Sequence, residues 1–212
     1  MRMMKSLSSV VVIGDVVGSR ESADRPALHR SLTGALAVVN DQWHTDLRIT
    51  VGDEYQGTAP TLGVATAIVL ALRLALLPGH DLRHGIGRGA TAVLDPGAGI
   101  EDGPGWWAAR AAIDAVKQQA QRPATRSART AYRSADADEV GGALDAALLG
   151  RDELVGRLDE RSLSVLRGLM IGRSQRELAA AEGVSASAIS QRVRHDGIGV
   201  VVTMSKWLEG QP

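Results

Sequence analysis

A β-branched run that stops at a carboxylate constrains this chain more than any other stretch: Val11-Val12-Ile13-Gly14-Asp15-Val16-Val17-Gly18-Ser19-Arg20. Its first half reads as a buried strand. Its second half turns polar through two glycines. A carboxylate at the rim of a buried strand, with a helix start close behind, is a place to hold a cation and a phosphate chain. The question put to the remaining residues is whether they supply partners for Asp15.

The succeeding pattern predicts an α/β fold. Residues 21–43 read as a helix, with Leu28, Leu32, Leu36 and Val39 on one face. Residues 47–51 read as a strand entering the turn Gly52-Asp53-Glu54-Tyr55-Gln56-Gly57, whose acidic tip joins two strands. Residues 61–77 form a second helix, stopped by Pro78-Gly79. In the strand over residues 81–92, the alternating glycines of His84-Gly85-Ile86-Gly87-Arg88-Gly89 imply that something packs against its backbone. Residues 95–105 read as a loop, 106–120 as a helix and 125–132 as a last strand. This order suits a ferredoxin-like, helix-backed sandwich with a central hairpin. From Leu144 on the pattern is helical throughout. The expected division is 1–135 for the α/β unit, 136–158 for a linker or helix, and 159–212 for a small all-α unit, with 135–142 as the boundary.

Composition excludes several classes. The 212 residues carry 24 basic and 24 acidic side chains, so nucleic acid could be met only through a local patch. Absence of cysteine excludes disulfides and thiolate metal sites and suits the cytosol. The start, Met1-Arg2-Met3-Met4-Lys5, lacks a signal peptide's apolar stretch. No segment approaches the roughly 20 apolar residues of a membrane span. Residues 66–77 are apolar but carry Arg73, which fits a core helix. A cytoplasmic protein without a membrane partner is expected. His29, His44, His80 and His84 show no metal-ligand spacing and are expected at the surface.

If the strands ending at Asp15 and leading from Asp53 are neighbours, the two carboxylates converge, and a divalent cation relieves their repulsion. Mg²⁺ or Mn²⁺ held by two carboxylates and phosphate oxygens needs no full protein cage. Gly18 and Ser19 could offer backbone N–H groups to phosphate, and Arg20 a guanidinium. Glu54 adjoins the pair, and Gln56 could touch a ligand or satisfy the hairpin backbone. Trp106 and Trp107 could stack on a base, or pack in the core and over a sheet edge. The plain alternative for Asp15 and Asp53 is two turn residues at strand ends.

These motifs resemble known ones. Gly14-Asp15-Val16-Val17-Gly18-Ser19 and Val51-Gly52-Asp53-Glu54-Tyr55 resemble the two metal motifs of class III nucleotidyl cyclases. The second also resembles the core of diguanylate cyclases. Gly85 to Gly89 resembles the glycine-rich strand that follows, and Trp107-Ala108-Ala109-Arg110 the helix bearing the cyclase arginine. The resemblance implies Asp15 and Asp53 as metal ligands and Arg110 as a candidate catalytic residue. It fails at Trp106, where cyclases carry a ribose-orienting asparagine, and at Ile49, beside Arg48, where they carry a base-selecting lysine. The metal pieces are present and the substrate-orienting pieces are missing. A closer resemblance is to the SatD family, on Ile13 to Arg20, Gly52 to Gly57, Arg83 to Gly89 and Gly103-Pro104. It implies a fold and a site rather than a reaction.

In residues 174–193, Ala179 is small where two helices cross, Gly183 suits a left-handed turn, and Ser185 caps the second helix. Val184 and Ile189 point to the core. The stretch resembles the helix-turn-helix of LuxR-type regulators and sigma-factor region 4, with Glu182 departing from the usual apolar residue. The resemblance implies that Ser185, Ser187, Ser190 and Gln191 face bases. It places Gln175, Arg176, Arg192 and Arg194 near phosphates. The alternative is a helical hairpin for dimerisation or protein contact. Val200, Val201, Met204 and Trp207 make the last helix too apolar for a free tail, so it packs on this unit or on a second copy in a homodimer.

Two functions stay open beside a third reading in which the first unit is an inactive scaffold. One is a DNA-binding regulator whose cyclase-like unit binds a nucleotide or phosphate ligand. The other is a divergent metal-dependent cyclase or phosphoryl-transfer enzyme with a regulatory helix-turn-helix.

Overall fold

The computed structural model describes residues 8–97, 99–136 and 140–212. Part of the expected 135–142 boundary, and the residues before 8, lie outside them.

Strand β1 (Ser8–Val16) lies at the centre of a five-stranded sheet. It is antiparallel on one side to β3 (Glu54–Ala59), which pairs with the edge strand β2 (Arg48–Val51). On its other side it is antiparallel to β4 (Leu82–Ala90), and β4 is parallel to β7 (Thr130–Ser134). The first four of these strands have the ferredoxin-like split-βαβ order.

The alternation of β1 divides the core. Val10, Val12 and Val16 meet Leu28, Leu32 and Leu36 of α1 (Arg25–Trp43) and Ile68 and Leu72 of α2 (Leu62–Leu76). Val11 and Ile13 face the other way, onto Ala109 and Ile113 of α3 (Pro104–Ala120). The glycines of β4 let α3 lie against the strand backbone: a Cβ on Gly85 would stand 2.3 Å from the Ala109 carbonyl oxygen, and one on Gly87 2.2 Å from the Ala109 nitrogen.

Two local expectations are corrected. The first helix starts at Arg25 rather than at residue 21. Asp24 caps it by accepting from the Ala27 amide at 2.8 Å, while Ser19–Glu21 is one 3-10 turn. Residues 95–105 are not all loop: β5 (Ala92–Asp95) and β6 (Ile100–Asp102) form a two-stranded ribbon. Its strands are too short and too exposed to carry an alternating pattern.

The remaining helices are α4 (Gly141–Gly156), α5 (Glu160–Met170), α6 (Gln175–Glu182), α7 (Ala186–His195) and α8 (Ile198–Glu209). They do not stand apart from the sheet. Helix α2 is apolar apart from Arg73 and Thr66 because it is covered on both sides. Its Ile68 and Leu72 face the sheet, while Leu70 and Leu74 share a cluster with Leu163, Leu166, Ile189 and Val201. Arg167 of α5 donates to the carbonyls of Leu74 and Leu77 at the end of α2. Within the 136–158 stretch, α4 sends Leu144 and Leu148 into the sheet's core and Val155 into the helical one. A tether would bury none of these.

Candidate functional site

The register of β1 and β4 sets Asp15 opposite Arg83. Arg83 Nε donates to Asp15 Oδ1 at 2.9 Å, and Lys117 Nζ of α3 lies 3.0 Å from Oδ2. Gly52, at φ 65°, brings the β2–β3 turn round, and Asp53 Oδ2 accepts from the Val16 amide at 3.1 Å. Both aspartates therefore stand at the end of β1.

They line a cleft of about 920 Å³ with Gly18, Ser19, Arg20 and Glu54. Gly18 and Ser19 open only the 3-10 turn, in which the Glu21 amide is bonded to the Gly18 carbonyl at 2.9 Å. Arg25, Arg126 and Arg129 complete the cleft's basic wall. Arg129 is tied to Asp81 at 2.7 Å. Arg20, Arg25 and Arg126 form no ion pair among the described residues. Cations outnumber carboxylates along the walls, so the cleft suits an anionic ligand.

Two expected site residues stand elsewhere. Arg110 forms a two-pronged pair with Glu54, at 2.8 and 2.9 Å, and does not line the cleft. The Arg110 hydrogen bonds hold the Glu54 carboxyl below its usual range, and Glu54 in turn raises Arg110. Gln56 opens onto a different groove, of about 400 Å³, beside Arg48 and Trp106. Trp106 is half-buried against the Val11 and Ile13 face. Trp107 is 61% exposed and donates to Asp102 at 2.8 Å. Neither tryptophan reaches the Asp15 cleft.

His84 corrects the expectation of a surface histidine. It is wholly buried, and its Nε2 lies 2.6 Å from the Tyr55 hydroxyl. Burial, reinforced by Arg73, pushes its pKa down to about 3, so the ring is neutral. The tyrosine ring fits because Gly14 has no side chain: a Cβ there would stand 2.3 Å from it.

Behind the cleft runs a buried ionic network. Arg73 of α2 bonds Asp81 at 2.7 Å and Asp152 of α4 at 3.0 Å. Asp152 also accepts the Arg129 and Thr130 amides, each at 2.7 Å. Burial pushes the Asp81 carboxyl up, but Arg73 and Arg129 together hold it below its usual range. Burial wins at Asp152, whose carboxyl lies above its usual range.

In the helical half, α6 carries a capping box between Ser174 and Glu177, and Gly183 takes φ 66° in the turn to α7. Ser185 caps α7 by accepting from the Ala188 amide. Ile189 and Val193 are buried, which leaves Ser185, Ser187, Gln191 and Arg194 exposed and Ser190 half-exposed. Arg176 is exposed and Gln175 half-exposed at the start of α6. Val184, expected in the core, is 45% exposed. Arg192 is committed within the chain, to Ser162 Oγ at 2.8 Å and Asp159 at 3.2 Å.

Sequence reading missed Arg83 and Lys117 as members of the site. Arg83 was legible only through strand register. Lys117 follows Ile113 by one helical turn, on the flank that faces the sheet.

Among the described residues, no group of three or more His, Asp or Glu is disposed to hold a metal ion alone. Two carboxylates with a basic wall fit a cation that brings phosphate oxygens with it. No described helix is long and apolar enough to cross a membrane.

No curated protein matches the chain. Among solved structures it is similar to the catalytic core of a rhodopsin-guanylyl cyclase with converted specificity, in complex with ATPαS. That likeness has 20% identity and a TM-score of 0.41, and covers 50% of this chain and 71% of the other. It is also similar to the adenylyl cyclase CyaB from P. aeruginosa, at 15% identity and TM-score 0.39, over 49% and 69% of the two chains. A regulator of polyketide synthase expression from Bifidobacterium adolescentis is similar at 15% identity and TM-score 0.29, over 96% and 85%. The SatD family model matches residues 9–207, nearly the whole chain, and the chain belongs to the SatD family.

Proposed function

We propose that this chain is a cytosolic DNA-binding regulator whose cleft takes a nucleotide or related phosphate ligand together with Mg²⁺ or Mn²⁺. The observation that carries the reading is the cleft itself. Asp15 and Asp53 stand at one strand end in the same cleft as Arg20, Arg25 and Arg126, which have no carboxylate partner among the described residues. Unpaired guanidinium groups converging from separate elements suit phosphate oxygens. The cation, when bound, would neutralise phosphate charge, with Asp15 and Asp53 as its protein ligands.

Efficient cyclisation is disfavoured by the positions of the remaining groups. Trp106 stands at the place of the ribose-orienting residue and lies in another groove, and Arg110 is paired with Glu54. Attack by a 3′-oxygen needs near in-line geometry, and losing it costs orders of magnitude in rate.

The α6–α7 pair is the DNA reader in this account. Its buried Ile189 and Val193 leave Ser185, Ser187, Ser190 and Gln191 toward bases, and Arg176, Gln175 and Arg194 toward phosphates. Readers of this kind bind as dimers. Trp207, 73% exposed on α8, and Val200, 54% exposed, favour a homodimer through that helix. Ligand binding can alter DNA affinity only if it favours one arrangement of the helices over another. The Arg129–Asp81–Arg73–Asp152 chain is the physical link from the cleft to α2 and α4.

Titration calorimetry of the intact protein against a nucleotide panel with Mg²⁺ tests the ligand. Micromolar binding of a phosphate-bearing member is expected, and no binding across the panel contradicts the reading. Steady release of pyrophosphate and cyclic product, lost in Asp15→Asn, would favour the enzyme instead.

A further inference from the structure

The Asp15 carboxylate is held between two cationic side chains. Arg83 holds Oδ1 at 2.9 Å and Lys117 holds Oδ2 at 3.0 Å. The carboxylate is only 13% exposed, against 23% and 34% for its partners, so water screens these pairs less than it would at an open surface. A free divalent cation approaching Asp15 meets two positive charges sharing the ligand it needs. Asp53 is different: one oxygen accepts the Val16 amide, and no cation among the described residues pairs with it.

Phosphate changes the balance. A polyphosphate gives the guanidinium and the ammonium another anionic partner of equal or greater strength. Arg20, Arg25 and Arg126, which form no ion pair among the described residues, attract it whether or not a metal is present.

We propose that Arg83 and Lys117 guard Asp15, so that the cleft admits a divalent cation only together with a polyphosphate. On binding, the two side chains pass from the carboxylate to phosphate oxygens, and Asp15 becomes a metal ligand. Free Mg²⁺ and free Mn²⁺ are rejected. The cleft thus selects the metal complex of a di- or triphosphate over the cation alone. This rests on the phosphate reading of the same cleft.

Equilibrium dialysis of Mn²⁺ against the full chain, with and without inorganic pyrophosphate, tests it. Wild type is expected to retain Mn²⁺ only when pyrophosphate is present. Lys117→Met removes one guard and is expected to retain Mn²⁺ alone at least about tenfold more tightly than wild type. Lys117→Gln, which keeps a polar tip, is expected to do the same, and unchanged melting curves establish that both variants are folded. The guard proposal is overturned if wild type retains Mn²⁺ equally with and without pyrophosphate. It is also overturned if pyrophosphate binds but neither variant gains affinity for the metal alone. If calorimetry detects no pyrophosphate binding with or without Mn²⁺, the phosphate reading fails and takes the guard with it.

Discussion

The backbone amide of Val16 donates a hydrogen bond to the Asp53 carboxylate at 3.1 Å. That bond pins the β2–β3 turn to the end of β1, one residue past Asp15, and makes one site of two stretches 37 residues apart. Asp53→Ala removes the acceptor and leaves a part-buried amide. A loss of about 1 kcal/mol in denaturant unfolding is expected, with a larger proportional loss in phosphate affinity. Phosphate affinity equal to wild type would place the ligand elsewhere.

His84 makes stability depend on pH. Its ring is neutral in the fold because its pKa lies near 3, against an ordinary value of 6.5. The unfolded chain takes up that proton first. The contribution is therefore fully present above pH 6.5 and is lost as pH falls from there toward 3. Between pH 6.5 and 5 the slope should approach about 1.4 kcal/mol per pH unit. Urea unfolding across this range should lose that slope in His84→Gln, which can still accept from Tyr55. An unchanged slope would assign it to another group.

Asp152 holds Arg73 and two backbone amides in the interior. Asp152→Ala leaves Arg73 with Asp81 alone and takes the acceptor from two amides, and is expected to cost about 3–5 kcal/mol. Thermal unfolding checks it. A shift too small to resolve would mean that water reaches the network.

Arg192 and Arg194 lie two residues apart on α7 but should behave oppositely. Arg192→Ala breaks the contacts to Ser162 and Asp159 that tie α7 to α5 and should lower the melting temperature. Arg194 is exposed, so Arg194→Ala should leave melting unchanged while weakening DNA retention in an electrophoretic shift, with the largest loss at low salt and a shallower salt dependence than wild type. If Arg194→Ala retains DNA as wild type does, α7 is not the reader.

The succession of longer strands and helices was legible because periodicity marks them, whereas β5 and β6, short and exposed, carry no such mark. The glycines of β4 announced close packing, and the helix they admit is α3. What composition hid was pairing. Nothing local says that Arg83 will stand opposite Asp15, that Arg192 will turn inward, or that Gln56 will open onto the groove beside Trp106. Those facts follow from register and helix docking, which act over dozens of residues. His84 was misread for the same reason: its partner Tyr55 is 29 residues away, and only Gly14 makes room for the pair. The helical half read as separable because short amphipathic helices look self-sufficient, whereas α2 serves both cores.

The most direct measurement is a crystal structure of the intact chain grown with Mn²⁺ and a non-hydrolysable nucleoside triphosphate, with anomalous data at the manganese edge. The expected result is a manganese peak in contact with Asp15 and Asp53, with phosphate oxygens on Arg83 and Lys117. Manganese or phosphate bound only outside this cleft, with both cations still on Asp15, would contradict it.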